Sequence, residues 1–258
     1  MRRSLMPVVL AVLFFSVQVS AQRPELSDLQ KKVRAAMEMD YRTEADKERD
    51  RNRSPARALE FFRMKDNMKV LEFFPGDGWY TKILAPVLKD KGQLVLGLNP
   101  AWLRGEFKEL LEKNENFSKV KQMDIGISFD RERGGFDETK LNLSEKDFDM
   151  ILSIRSYHGF NDAGAAKFNK LAFDALKPGG YFAVIDHTLR HMESETDENG
   201  RRRDPVKVIK ECLATGFKFV DYSDIFFRAD DELRYEVGRK TVTGNTDRFT
   251  LLFQKPAR

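Results

Sequence analysis

The sequence predicts an α/β fold: a mostly parallel sheet with helices on both faces. Three observations carry this. Short apolar runs alternate with helix-patterned segments from residue 69 almost to the C-terminus, the order that builds a parallel sheet covered on both sides. The stretch KVLEFFPGDGWYTKILAPVLKDKGQLVLGLN, residues 69–99, reads as strand, glycine-bearing turn, helix and second strand. FDMILSI at 148–154 and YFAVI at 181–185 are continuous apolar runs of the length expected for buried strands.

Before the first strand, Leu26 to Met39 and Asp46 to Arg63 read as two helices. The second is interrupted or started near Pro55, with Ser54 as its N-cap. Lys69 to Phe74 is the first strand, and Pro75-Gly76-Asp77-Gly78 is the turn. Gly76 and Gly78 permit torsions and close approaches that a side chain blocks. Trp79 to Leu88 is a helix with Trp79, Ile83, Leu84 and Leu88 available to one face, and Gln93 to Leu98 is the second strand. This is half of a nucleotide-binding βαβ unit, in which a ligand sits over the glycine turn at the carboxyl ends of the strands.

Ala101 to Lys113 reads as a helix, and Lys119 to Met123 as a weak strand ending at Asp124. Residues 125–147 are polar loop with at most a short element. Ala163 to Leu176 is a helix, stopped by Lys177-Pro178-Gly179-Gly180. The strand Tyr181 to Ile185 ends at Asp186-His187, and residues 192–204 (MESETDENGRRRD) form a charged, mobile loop. Pro205 to Thr215 is a helix closed by Gly216, Phe217 to Tyr222 a strand, and Phe249 to Gln254 the last strand with Arg248 at its entry.

Arg2 and Arg3, an apolar run from Leu5 to Phe15 and the exit Val19-Ser20-Ala21 match a secretory signal peptide. The run is too short for an ordinary membrane span. Cleavage after Ala21 predicts an exported protein, periplasmic or secreted, with no stable membrane span. The single cysteine, Cys212, excludes an intrachain disulfide and reads as a core residue. The formal charge of +4 falls to +2 without Arg2 and Arg3, which argues against nucleic acid as a partner. Runs such as RRRD and DKERDRNR mix both signs and read as solvated faces. The organisation is a leader at 1–21, an N-terminal helical extension or lid at 22–64, and one α/β domain at 65–258.

Val70-Leu71-Glu72 followed by PGDG, then FDMILSI, ALKPGGYFAVIDH and the closing GFKFVDYSDIF and DRFTLLFQKP resemble class I S-adenosyl-L-methionine (SAM)-dependent methyltransferases over roughly residues 45–256. PGDGWYTKILAP, RSYH at 155–158 and DRFTLLFQKP at 247–256 resemble a subgroup of signal-peptide-bearing predicted methyltransferases. The resemblance implies a Rossmann-like seven-stranded sheet, SAM as cofactor and methyl transfer to a small-molecule acceptor. It also implies site residues. Glu72 ends the first strand and approaches the amino acid part of SAM; read from the residues alone, it also caps the following turn or pairs with a base. Pro75, Gly76 and Gly78 belong to the loop that meets the cofactor. The family's first loop glycine is Phe74 here. The acid that accepts both ribose hydroxyls is Asn99, which brings no charge. Asp124 is placed to meet the adenine amino group.

Other residues carry two readings each. His158 is a general-base candidate, because imidazole titrates near neutrality, or a loop histidine bonded to backbone. Arg155 orients an anionic substrate or pairs with Glu72 or Asp186. Asp186 and His187 form a strand-end network or assist catalysis. His187 and His191, four apart, lack a third placed ligand, so no metal is expected. Trp79 and Tyr80 pack the helix onto the sheet, or Trp79 stacks on a ligand. Tyr41, Arg49 and Arg51 are available to a lid. Against the methyltransferase stands a non-catalytic exported binding protein on the same scaffold.

Overall fold

The computed structural model describes residues 25–132 and 134–257, so the leader assigned to 1–21 lies outside the described residues. The N-terminal extension holds four short helices. α1 (Asp28–Met37) opens with a capping box, Ser27 accepting from the Gln30 amide and Gln30 from the Ser27 amide. α2 (Glu44–Glu48), α3 (Asp50–Arg53) and α4 (Pro55–Phe61) replace the single helix expected at 46–63. The break is at Ser54, which takes left-handed torsions (φ 33°, ψ 54°) and makes no side-chain cap bond. Pro55 does occupy the first helical turn. Its ring disfavours the α region for the residue before it, so Ser54 leaves the helix instead of capping it.

The sheet follows. β1 (Lys69–Phe73), α5 (Thr81–Leu88), β2 (Gln93–Leu98), α6 (Gly105–Lys113) and β3 (Lys121–Asp124) run outward from the centre. A small antiparallel hairpin, β4 (Ser128–Asp130) with β5 (Gly135–Asp137), occupies the segment read as loop. The chain then returns to the other side of β1 with β6 (Phe148–Ile154), α7 (Asp162–Ala175), β7 (Leu176–His187), α8 (Pro205–Thr215), β8 (Lys218–Ser223) and β9 (Arg248–Gln254). The seven strands lie in the order β3-β2-β1-β6-β7-β9-β8. Neighbours are parallel from β3 to β7, and β9 is antiparallel to both β7 and β8.

Alternation along each strand sorts side chains into two layers. Leu71, Phe73, Ile151, Phe182, Val184, Leu251 and Phe253 face α7 and α8, where Phe168, Ala172, Val208 and the buried Cys212 meet them. Val70, Met150, Leu152, Ala183, Ile185 and Leu252 face the other way, toward α1, α4 and α5. The chain reverses direction across β1 and β6, so a crevice opens at their carboxyl ends.

Gly78 is held by packing on this second layer. Its φ is +75°, and a Cβ there would lie 2.1 Å from the Phe107 ring of α6. Gly78→Ala is therefore expected to destabilise the protein by about 1–3 kcal/mol through overpacking, read as a lower denaturant midpoint.

Candidate functional site

Two cavities open at the carboxyl edge of the sheet, and both are lined by Asp77 of the glycine turn. The smaller, about 340 Å³, lies over the turn between β1 and β2. Its walls include Phe74, Gly76, Leu98, Asn99, Trp102 and Phe129. Gly76 has φ +60°, and a Cβ built on it would meet nothing within 4 Å, so the backbone there borders open space. Phe74 stands in left-handed torsions (φ 56°) that favour glycine. Its amide donates to the Gly97 carbonyl, and its ring packs edge-on against Phe136 and Trp102, with centroids 4.8 and 5.4 Å away. The Phe74 ring thus forms a wall of the slot.

Of Asn99, Asp124 and Glu72, only Asn99 reaches this slot. Asn99 lines it, but its Oδ1 accepts from the Ala101 amide at 3.0 Å and its Nδ2 donates to the Ile127 carbonyl at 3.0 Å. Asp124 is exposed, accepts from the Gly126 amide at 2.8 Å and is not part of the slot wall. Glu72 is buried beneath the turn and lines neither cavity. Its carboxyl accepts from the Thr81 hydroxyl at 2.6 Å at the head of α5. Burial pushes its pKa up to about 8, against smaller lowering effects of Thr81 and Arg53.

The larger cavity, about 510 Å³, is built by several separate parts of the chain. Asp77 comes from the glycine turn, Arg155 from the end of β6, His187 from the end of β7, and Arg248 from the start of β9. Glu48, Arg49, Asn52 and Arg53 of α2 and α3 close one side, and the 237–246 loop closes another. Tyr41 and Arg51 do not line it. Tyr41 instead donates to the Lys82 carbonyl at 3.0 Å. The three motifs PGDGWYT, RSYH and DRFTLLF thus each supply a residue to one cavity.

Trp79 and Tyr80 do more than dock α5 on the sheet. The Trp79 indole donates to the Asp46 carbonyl at 2.9 Å, and Arg53 stacks over its ring at 4.6 Å. The Tyr80 hydroxyl donates to the Arg53 carbonyl at 3.3 Å. Both therefore clamp α2 and α3 over the cavity, a role that helical spacing does not signal.

Arg155 also has left-handed torsions (φ 57°), which turn its side chain off the strand end. Its Nε donates to His187 Nε2 at 3.0 Å, in place of an ion pair with Glu72 or Asp186. Burial and the neighbouring arginine charges push the His187 pKa well down, so the ring is neutral. With Nε2 accepting, the proton sits on Nδ1 and is donated to Thr246 Oγ1, 2.8 Å away.

His158 makes the third feature. Its Nδ1 lies 2.7 Å from Asp186 Oδ1, and its amide donates to Asp186 Oδ2 at 2.9 Å. Asp186 also accepts from the His187 amide at 2.8 Å. A carboxylate on Nδ1 selects the tautomer whose Nε2 is free to accept a proton. The His158 ring is 6.3 Å from that of His187, which lines the cavity, so His158 and Asp186 stand behind His187 without lining it themselves. His191 belongs elsewhere, paired with Asp204 at 2.9 Å. Among the described residues, no group of three or more His, Cys, Asp or Glu is placed to hold a metal ion. No helix among them is long and apolar enough to cross a membrane.

No protein-family model matches the sequence, and no curated protein matches it. Solved structures do resemble the chain. A SAM-dependent methyltransferase from Aquifex aeolicus gives a TM-score of 0.55 at 15% identity, over 88% of this chain and 98% of that one. The [4+2]-cyclase SpnF gives 0.57 at 15% identity, over 90% and 94%. The pyocyanin biosynthetic protein PhzM gives 0.53 at 15% identity over 80% of this chain. This chain spans 54% of PhzM's length. At such identities these likenesses show the fold alone: a Rossmann-like, seven-stranded, mostly parallel sheet of the kind found in a SAM-dependent methyltransferase and in SpnF.

Proposed function

We propose that the protein transfers a methyl group from SAM to a small-molecule acceptor. The observation that carries this reading is the meeting of two cavities at Asp77, in the crevice where the sheet reverses. The slot over Gly76 sets the aromatic rings of Phe74, Trp102 and Phe129 beside the polar groups of Asp77, Asn99 and Arg104, a mixture that fits a nucleoside. In this reading Phe74 and Trp102 border the purine, Pro75 and Gly76 give the backbone approach, and Asn99 offers the remaining lone pair of its Oδ1. Glu72, holding Thr81, acts through the shape of the turn. SAM supplies a sulfonium-activated methyl, and the chain's task is to hold a nucleophile in line with it. His158, oriented by Asp186, takes the proton of an acceptor that loses one on attack. The export implied by the leader belongs to the same reading, and is checked by recovering a chain beginning at Gln22 outside the cytoplasm.

Calorimetric titration with SAM and S-adenosylhomocysteine tests the cofactor. Saturable binding is expected, weakened about tenfold or more (1.4 kcal/mol) in Gly76→Ala, whose new methyl projects into the slot. Absence of binding to folded protein sinks the reading. For the base, His158→Ala is expected to lower turnover about 10²–10⁴-fold with SAM affinity unchanged. An unchanged kcat removes His158 from that role.

A second reading, a non-catalytic ligand-binding protein, is favoured by three observations. Phe74 fills a glycine position, both polar atoms of Asn99 are engaged, and Asp124 lies outside the slot. SpnF, a cyclase by name on the same fold, illustrates that the scaffold does not dictate the reaction. Folded protein that binds neither SAM nor S-adenosylhomocysteine supports this reading.

A further inference from the structure

We propose that the arginine-lined cavity is an oxyanion site, and that the acceptor carries a phosphate-type dianion seated against Arg53, Arg155 and Arg248. The word acceptor rests on the methyltransferase reading; the anion site itself does not.

Five arginines line this cavity against two carboxylates, Glu48 and Asp77. The two carboxylates are exposed, where solvent screens them. Arg248 is only 7% exposed, and Arg53 and Arg155 are half-buried. Among the described residues, Arg49, Arg53, Arg155 and Arg248 make no ion pair within 4 Å, whereas Arg201 pairs with Glu236. Arg248 reaches the Asn52 carbonyl at 2.6 Å and stacks on Phe226, but its buried Nε has no partner. Arg53 stacks on Trp79 and makes no side-chain hydrogen bond to a described residue.

Like charges gathered in a partly desolvated space cost free energy unless a counter-charge offsets them. Asp186, buried beside Arg155, gives its carboxyl oxygens to His158 and His187. Burial and mutual repulsion bring Arg53 and Arg248 down to about 10, so both remain cations at neutral pH. Arg155 is turned into this cluster by a backbone conformation that non-glycine residues rarely adopt, and such strain concentrates at ligand clamps. His187 then fixes the Arg155 Nε, so its terminal nitrogens, which bond no described residue, remain for a ligand. Guanidinium forks match phosphate oxygens in pairs. Four arginines without an ion pair to a described residue face two solvent-exposed carboxylates in the lining, which suits a dianion better than a single carboxylate.

The test is calorimetry on the full chain with inorganic phosphate and, in parallel, succinate. Saturable phosphate binding is expected, at least tenfold tighter than succinate. It should weaken at least tenfold in Arg155→Gln and in Arg53→Gln, and stay unchanged in Arg51→Gln, whose side chain lies outside the cavity. Circular dichroism reports whether each variant is folded. If the buried variants do not fold, Arg49→Gln, at the exposed rim and without a side-chain partner, is expected to weaken phosphate at least threefold. Three results overturn the proposal: no saturable phosphate binding, tighter binding of succinate, or unchanged phosphate affinity in the folded variants. SAM titrated into the same samples separates the two readings. Phosphate bound without SAM keeps the anion site and removes the methyltransferase, and SAM bound without phosphate does the reverse.

Discussion

Arg202→Ala is expected to lower the unfolding free energy by about 3–5 kcal/mol, the usual result of stripping one partner from a buried ion pair. Arg202 is 2% exposed. Its two terminal nitrogens meet the two Asp231 oxygens at 2.9 and 3.0 Å, and it also donates to the carbonyls of Tyr235 and Thr188. Asp231 in turn accepts from the amides of Leu233 and Asp247, so it ties the 228–247 segment to the edge of the sheet. Alanine would leave that carboxylate charged, buried and without its cation. Adding Asp231→Asn should recover part of the loss, because asparagine removes the buried charge, and its single amide oxygen still accepts from one of those two amides. Arg201→Ala, one residue away, is expected to cost about 0–1 kcal/mol, since its pair with Glu236 is exposed. Urea denaturation of the three variants checks this. A small loss in Arg202→Ala would mean that the segment is not held through Asp231.

Glu72→Gln is expected to make the protein more stable than wild type at pH 9 and to flatten its pH profile. The carboxyl's folded pKa is about 8 against an ordinary 4.5, because burial disfavours the charged form. Between these two values the unfolded chain has released the proton and the folded chain still holds it. The unfolded state then binds fewer protons, so stability falls as pH rises, by at most about 1.4 kcal/mol per unit. The loss begins near the unfolded value and levels off above the folded one. Glutamine carries no proton to lose, and its amide oxygen still accepts from Thr81. Denaturation midpoints from pH 4 to pH 9 decide the matter. A Glu72→Gln profile parallel to wild type would mean that the carboxyl ionises at its ordinary pKa.

The elements that could be read directly are those whose signal is local. FDMILSI is a strand at 148–154, Pro205 to Thr215 is a helix, and Gly216, at φ 109°, closes it as expected. Tyr181 to Ile185 is the core of a longer strand, β7, which extends back to pair with Phe148 through an irregular register. The charged run at 192–204 shows the limit. It was expected to be solvated, yet Asn199, Arg202 and Arg203 are buried. Arg203 bonds Glu195, Asp162 and Glu211, two of them from α7 and α8. Nothing in RRRD distinguishes its exposed first arginine from the two that find partners about 30 to 40 residues away. The same holds for DKERDRNR, where Asp46 is buried against Lys82 at 2.6 Å.

The candidate site divides in the same way. Apolar period and glycine placement determined the sheet, the turn after β1 and the carboxyl-edge location of Glu72, Arg155, His158 and His187, because strand ends and turns follow from a few adjacent residues. Tertiary structure alone decided what each side chain does there. It sent Glu72 under the turn to Thr81 and turned Phe74 aside onto Phe136. It left Asp124 outside the slot and used Trp79 to hold α2 and α3 over the arginines. Those outcomes depend on partners distant in the chain and on which charges lose their water, and neither is written in local pattern.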